Sequence, residues 1–318
     1  MSVGSFLAGT GWAAPSRSVS NEDLSRTLDT SDAWIRERTG IQARRVASHE
    51  TVASLSVQAS QQALARAHIQ ADHVDAIILA TTSPDHSLPA TATHIQQELG
   101  ASRAFAFDLQ AVCSGFLFAL SVADHFIRAQ TCQTVLVIGA DIMSRLVDWT
   151  DRSTCVLFGD AAGATLLTAT EGPSRVLSTH LFSDGAGYDA LYADALVPTS
   201  AGRGAIKMNG RSVYITAIEK MEASLRSALE QNHATVADID WFVPHQANKR
   251  IMDVVAKRLD LPEEKIIVTI DSFANTSAAT IPLSLALAEQ DGRIQKGDLV
   301  ALSAMGAGFT WGASLVRW

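Results

Sequence analysis

Cysteine is scarce in this chain: three in 318 residues, Cys113, Cys132 and Cys155, at wide spacing. An odd, scattered set argues against a disulfide framework and against a metal cluster built on the usual short cysteine spacings. A reducing, cytoplasmic setting is the expectation. Long apolar runs are missing too, since no segment reaches the roughly 18 uninterrupted apolar residues of a membrane-spanning helix. The first eight residues, Met1-Ser2-Val3-Gly4-Ser5-Phe6-Leu7-Ala8, show no basic stretch ahead of an apolar one, so neither a secretory signal nor membrane insertion is expected. Positive charge is in deficit, with 25 Lys and Arg against 33 Asp and Glu and a formal net charge of -8. That balance argues against nonspecific nucleic-acid binding, which rests on basic surface. Any acidic partner must dock on a local basic patch. Low-complexity tracts are absent, and the best loop candidate is the Gly/Ser/Pro-containing stretch 184–204.

What the chain has in quantity is apolar material, 47% of its residues, enough for one large domain or two fused halves. Strand-length runs such as Ala76-Ile77-Ile78-Leu79-Ala80 and Thr134-Val135-Leu136-Val137-Ile138 alternate with helix-period stretches over 54–67 and 116–129. That rhythm predicts an α/β protein whose central strands are buried on both faces. Four features of the first half recur in order in the second. Residues 74–78 are echoed at 239–243, Phe107-Asp108 and the Cys113 turn at Ile270-Asp271 and the Asn275 turn, 134–140 at 298–304, and 163–167 at 312–316. The chain therefore reads as a duplicated α/β unit, halves 1–172 and 173–318, joined somewhere in 170–205. Equivalent turns in such halves would bring Cys113 and Asn275 face to face.

Cys113 stands between a strand-like segment and an apolar helix-like one. Free backbone N–H groups and the positive end of a helix dipole favour a thiolate there; a small buried hydrophobe is the plainer alternative. His245, in Pro244-His245-Gln246-Ala247-Asn248, ends an apolar strand and opens a helix in the opposite half, which suits a proton or charge partner for a thiol. Asn275 reads either as a cap or turn residue or as an amide donor for an oxygen gaining negative charge. The Met305-Gly306-Ala307-Gly308 loop reads either as a tight turn or as the source of a backbone N–H, from Ala307, that would join Cys113 N–H in an oxyanion hole.

Together these residues resemble ketoacyl synthase III of the thiolase-like superfamily, and the resemblance covers nearly the whole chain. Its most specific match is Thr30-Ser31-Asp32-Ala33-Trp34-Ile35-Arg36-Glu37-Arg38-Thr39-Gly40-Ile41. Others are Asp151-Arg152, Phe158-Gly159-Asp160-Ala161-Ala162-Gly163-Ala164, His245-Gln246-Ala247-Asn248, Asn275-Thr276-Ser277-Ala278-Ala279 and Gly308-Phe309-Thr310-Trp311-Gly312. The resemblance implies a thiolase-like fold of two βαβαβαββ halves in an α-β-α-β-α stack. It implies an acyltransferase without metal or redox cofactor, coenzyme A thioester being a substrate. An acyl group passes from acyl-CoA to Cys113, and decarboxylative condensation with malonyl-acyl carrier protein starts a fatty acid. By the same resemblance His245 and Asn275 bind the malonyl thioester oxygen, Trp34 and Arg152 sandwich the coenzyme A adenine, and Arg38 lies near its phosphates. A salt bridge from Arg152 to Asp151 or another carboxylate is the plain alternative. Asn248 and Phe309 match supporting positions.

Lys249, Arg250, Lys257 and Arg258 recur seven to eight residues apart and can share one helix face. Such a run reads as solvated surface; the resemblance makes it a docking site for acidic acyl carrier protein. It also implies a homodimer in which the Leu88 loop reaches the partner's tunnel. This chain departs from the family in having Ala274 and Ala307 where glycine is common, and Leu88 and Met305 where phenylalanine is frequent. Leu88, Met208 and Met305 are expected to line the acyl pocket, and the smaller or more flexible side chains suggest a primer longer than acetyl. A condensing enzyme of a specialised pathway and a non-catalytic thiolase-like binding protein are the alternatives.

Overall fold

A strand buried on both faces needs apolar side chains on both, and the fully buried Ala76–Ala80 and Thr134–Ile142 meet that condition. The computed structural model describes residues 3–171, 175–194 and 205–318. Strands β1 (Val3–Ala13), β2 (Ala76–Ala80), β3 (Phe105–Leu109), β4 (Thr134–Ile142) and β5 (Asp160–Glu171) form one sheet in the order β1-β5-β4-β2-β3. Strands β6 (Val176–Ser183), β7 (Trp241–Pro244), β8 (Leu299–Gly306) and β9 (Thr310–Arg317) form a second, in the order β7-β8-β9-β6. β2 runs parallel to β4 as β7 does to β8, and the β4–β5 and β5–β1 pairs are antiparallel, as are β8–β9 and β9–β6. The expected duplication is therefore present in four strands of each half, β1, β2, β4 and β5 answering β6, β7, β8 and β9.

Helices complete the stack. In the first half the longer ones are α1 (Asp32–Thr39), α2 (Val52–Ala67), α3 (Thr91–Leu99) and α4 (Gly115–Arg128). In the second they are α5 (Gly210–Gln231), α6 (Lys249–Leu259) and α7 (Thr280–Gln290). α2 starts two residues before the predicted 54 because Thr51 and Ser54 exchange side-chain-to-backbone bonds across its first turn. α4 and α7 lie between the sheets: α4 contacts strands of both, and α7 packs on β1, β4, β5 and β7. The central core joins Phe116, Leu117, Leu120 and Ile127 of α4 to Ile281 and Leu285 of α7 and to strand residues of both sheets. α2 and α3 cover the outside of the first sheet, and α5 and α6 the outside of the second.

One element of the predicted echo is displaced. Phe107-Asp108 lies in β3, but Ile270-Asp271 lies in a helical turn, Ile270–Phe273. The pairing that answers β2–β3 is a single parallel bridge, Phe242 to Ile266. The cause is Gln246, whose Oε1 accepts from Thr269 N–H at 3.0 Å and Ile270 N–H at 3.2 Å, diverting donors that a ladder would use. The stretch 184–204, predicted as loop, holds a helical turn, Gly185–Ala190, and a strand, Leu191–Ala193, paired with Ile206–Met208; its residues 195–204 and the predicted boundary at 172/173 lie outside the described residues.

Candidate active site

Cys113 occupies a single 3-10 turn, Val112–Ser114, that leads into α4. Ser114 Oγ donates to Ala111 O at 2.7 Å and to Thr310 Oγ1 at 2.8 Å, which ties the turn to β9. Gly306 at the end of β8 comes so close that a Cβ there would lie 2.7 Å from Cys113 N. The thiol is buried, and burial pushes its pKa up to about 12; the nearby Asp141 carboxylate raises it as well, while the Ser277 hydroxyl works against both. The helix N-terminus thus does not by itself create a resting thiolate. Desolvation, which disfavours a charged sulfur, is the largest cause of the upward shift.

His245 follows β7 directly, and its backbone N–H donates to Ser303 O at 2.8 Å, which extends the strand pairing by one residue. The residue is 2% exposed, and neither ring nitrogen has a hydrogen-bond partner. Burial lowers its pKa to about 3, so the imidazole is neutral at physiological pH. Asn275 is held from both sides: its N–H donates to Leu157 O at 2.9 Å, and its carbonyl accepts from Gly159 N–H at 3.0 Å. Its Oδ1 accepts from Ser277 N–H at 2.9 Å, which leaves the Nδ2 group to donate elsewhere. Ala274 before it adopts φ 58°, ψ -158°, a region almost reserved for glycine.

These three side chains meet. Cys113, His245 and Asn275 line one cavity of about 100 Å³, together with Met208, Met305 and Asn248. A second cavity of about 390 Å³ shares Cys113, Phe158 and Leu191 with the first and is otherwise lined by residues such as Met143, Leu146, Ile206 and Ala307. Met208 and Met305 therefore border the narrower chamber, not the larger one. Leu88 borders neither cavity of its own chain and is 82% exposed. Its loop is pinned outward. Asp85 accepts from Val52 and Ala53 N–H at the start of α2, and Asp108 accepts from Thr91 and Ala92 N–H at the start of α3.

Trp34, Arg38 and Arg152 cluster as expected. The guanidinium carbons of Arg38 and Arg152 stand 5.9 Å and 5.2 Å from the Trp34 ring centre. Arg152 pairs with Asp29 at 3.6 Å, and also donates to its carbonyl, rather than with Asp151, which caps its own turn through Ser153 and Thr154. Asn248 caps α6 through Arg250 N–H at 2.9 Å and donates to Arg38 O at 3.0 Å, linking this cluster to the Cys113 cavity. On α6, Lys249 pairs with Asp253 at 2.6 Å, Arg258 with Glu222 at 3.3 Å, and Arg250 lies 5.8 Å from the Tyr214 ring centre. Arg250, Lys257 and Arg258 are exposed.

Two site residues escaped the sequence reading. Asp141 is fully buried in β4; one carboxylate oxygen accepts from Thr81, Thr82 and Ser83, and the other from Ala278 N–H at 3.2 Å. An acid inside an otherwise apolar strand was the available signal. Ser277 lay within a quoted motif but nothing in its spacing set it apart. No group of three or more His, Cys, Asp or Glu able to hold a metal occurs among the described residues, and no described helix is long and apolar enough to cross a membrane.

Family models described as 3-oxoacyl-[acyl-carrier-protein (ACP)] synthase III and its C-terminal part match residues 107–185 and 229–318. Beta-ketoacyl-[acyl-carrier-protein] synthase III of Rhodospirillum centenum is 50% identical over the full length of both chains, and that of Ehrlichia canis is 50% identical over 98% of this chain and 99% of its own. The crystal structure of the Aquifex aeolicus 3-oxoacyl-[acyl-carrier-protein] synthase III superposes with a TM-score of 0.95 at 42% identity, covering 99% of this chain and all of that one. The chain has the thiolase-like fold and is an acyltransferase that condenses acyl units in fatty-acid synthesis; the specialised-pathway and non-catalytic alternatives are not favoured. It belongs to the 3-oxoacyl-[acyl-carrier-protein] synthase III family.

Proposed function

We propose that Cys113 is the acylated nucleophile and that His245 and Asn275 stabilise the enolate. In the first stage the Cys113 sulfur bonds to the thioester carbon of acyl-CoA. The carbon–sulfur bond to coenzyme A breaks, and coenzyme A leaves with the thiol proton. Backbone N–H groups of Cys113 and Ala307, both at the larger cavity, would hold the tetrahedral oxyanion, and that cavity would take the acyl chain. In the second stage malonyl-acyl carrier protein loses carbon dioxide, and the electron pair passes to the thioester oxygen. The enolate carbon then attacks the acyl-Cys113 carbonyl, a carbon–carbon bond forms, and the sulfur leaves and recovers a proton.

The observation that carries this reading is the shared cavity, in which a neutral, unpartnered His245 and a free Asn275 amide face one space with Cys113. Two neutral donors favour an enolate oxygen without first binding carbon dioxide's leaving carboxylate as tightly as a cation would. Trp34 and Arg152 would clasp the adenine of coenzyme A. A purine between them needs about 7 Å, twice a van der Waals contact, so Arg152 must move outward by about 2 Å and release Asp29. No resident cofactor or metal enters the scheme.

Arg250, Lys257 and Arg258, with Lys249, would dock the acidic carrier protein. Edge strand β3 exposes Phe105, 45% exposed and stacked on Phe107, and an unpaired apolar edge supports a homodimer in which Leu88 enters the partner's tunnel. Free buried thiols suit a cytoplasmic setting. Incubation with acyl-CoA followed by intact-mass measurement should give one adduct, absent in Cys113→Ala; an adduct that persists in the mutant refutes the assignment. A panel from acetyl- to octanoyl-CoA then reads the primer length.

A further inference from the structure

Buried polar atoms without a hydrogen-bond partner include both ring nitrogens of His245, which lines the Cys113 cavity, and Oγ of Ser277, in a turn packed against the Cys113 turn. The histidine has a role in binding substrate oxygen; the serine has none so far. A buried hydroxyl left unpaired is destabilising, and Ser277 is also held at φ 52°, a strained conformation for a residue with a side chain. Two hydrogen bonds hold it there. Its own N–H donates to Asn275 Oδ1, and the next N–H, that of Ala278, donates to Asp141 Oδ2 in the opposite half. Strained residues that the surroundings over-determine concentrate at functional sites.

The turn so braced, Ser277–Ala279, packs directly against Val112–Ser114. The Ser277 hydroxyl makes no hydrogen bond of ordinary geometry with the neutral thiol, yet it is near enough to favour the charged sulfur. The need for such a group is plain. Burial and the Asp141 carboxylate both disfavour a Cys113 thiolate, and His245, which lines the same cavity, carries no charge at neutral pH. α4 has no charged residue in its first turn, and β8 has none at all. With His245 and Asn275 assigned to the substrate oxygen, the hydroxyl is a further side-chain donor available to the sulfur.

We propose that Ser277 is a further catalytic residue, whose Oγ–H donates to the Cys113 sulfur each time that atom carries charge, as it attacks the thioester and again as it leaves after condensation. No bond to Ser277 forms or breaks, and the hydroxyl keeps its proton. The inference rests on Cys113 being the nucleophile. Its test is the pH dependence of Cys113 alkylation by iodoacetamide, followed by intact mass, with single-turnover acylation by acyl-CoA measured in parallel. Ser277→Ala keeps the Cβ and the backbone strain, so its melting temperature should equal or exceed that of the parent. Its log-rate against pH should shift upward by about one unit, a tenfold loss of thiolate at any given pH, and acylation should slow about tenfold. Ser277→Gly, which relieves the strain as well, should show the same shift with a different stability, and it serves if the alanine variant does not fold. An unmoved profile in a folded variant with a normal Cys113 adduct overturns the role of Ser277 alone; an adduct that persists in Cys113→Ala overturns the nucleophile itself.

Discussion

Adding one methyl group at Gly306 should disable the enzyme without unfolding it. A Cβ there would lie 2.7 Å from Cys113 N, 3.1 Å from Val112 Cβ and 3.2 Å from Ala111 O. Backbone atoms cannot swing aside as a side-chain tip can, so relief to a contact of about 3.5 Å requires the Cys113 turn or the end of β8 to move by roughly 0.8 Å. Misplacing a reacting group by about 1 Å lowers rates on the order of 100-fold, and losing one oxyanion donor costs a factor of about 100–1,000. Gly306→Ala should therefore slow single-turnover acylation of Cys113 about 100-fold or more. Overpacking of this kind destabilises by about 1–3 kcal/mol, a fall of a few degrees in melting temperature for a chain of this size. Intact-mass time courses with acyl-CoA read the first effect, and calorimetry the second. A folded Gly306→Ala variant acylated within threefold of the parent rate would refute the claim that this close approach positions the nucleophile.

Trp34→Ala and Arg152→Ala should raise KM for acyl-CoA several-fold while the maximal rate changes little, since both groups lie away from the cavity lining; an equal fall in kcat would contradict adenine binding. Because burial holds the His245 pKa at about 3 against an ordinary 6.5, the unfolded chain takes up a proton that the folded one refuses below pH 6.5. The stability contribution of this group is then full above pH 6.5 and lost as pH falls through about 3, by about 5 kcal/mol in all. His245→Gln should be less acid-sensitive in denaturant titrations, and parallel stability curves for the two proteins would show that His245 is not buried neutral. Arg250→Glu with Lys257→Glu should raise KM for malonyl-acyl carrier protein at least tenfold and weaken its salt dependence, with acyl-CoA kinetics unchanged; a similar effect on both substrates would point away from docking.

Much of this architecture was legible because strand burial leaves a local mark. Apolar runs at 76–80 and 134–138 became β2 and β4, and the echo at 298–304 and 312–316 became β8 and β9. The echo failed only at Ile270-Asp271, where the Gln246 side chain, remote in sequence, takes the backbone donors. Cys113, His245 and Asn275 were nameable from their positions at strand ends and from family motifs. The cavity lining was legible only in part, Met208 and Met305 at the narrower chamber. Leu88 stands outside its own chain's cavities, while Met143, Leu146 and Ile206 line the larger one, and no periodicity distinguishes an apolar residue that lines a cavity from one that fills a core.

By itself the sequence determined the duplicated α/β plan and singled out Cys113, His245 and Asn275 as candidates, because both depend on residue type and order. Their electrostatic state depended on the tertiary structure alone. A cysteine at a helix N-terminus looks activated until burial and Asp141 are counted, and a histidine at a strand end looks titratable until its ring is found sealed and without partners. Desolvation and long-range contact are properties of the packed chain, so only folding decided that His245 is neutral, that the Cys113 thiol keeps its proton at rest, and that Asp141 braces the Ser277 turn of the opposite half through Ala278 N–H.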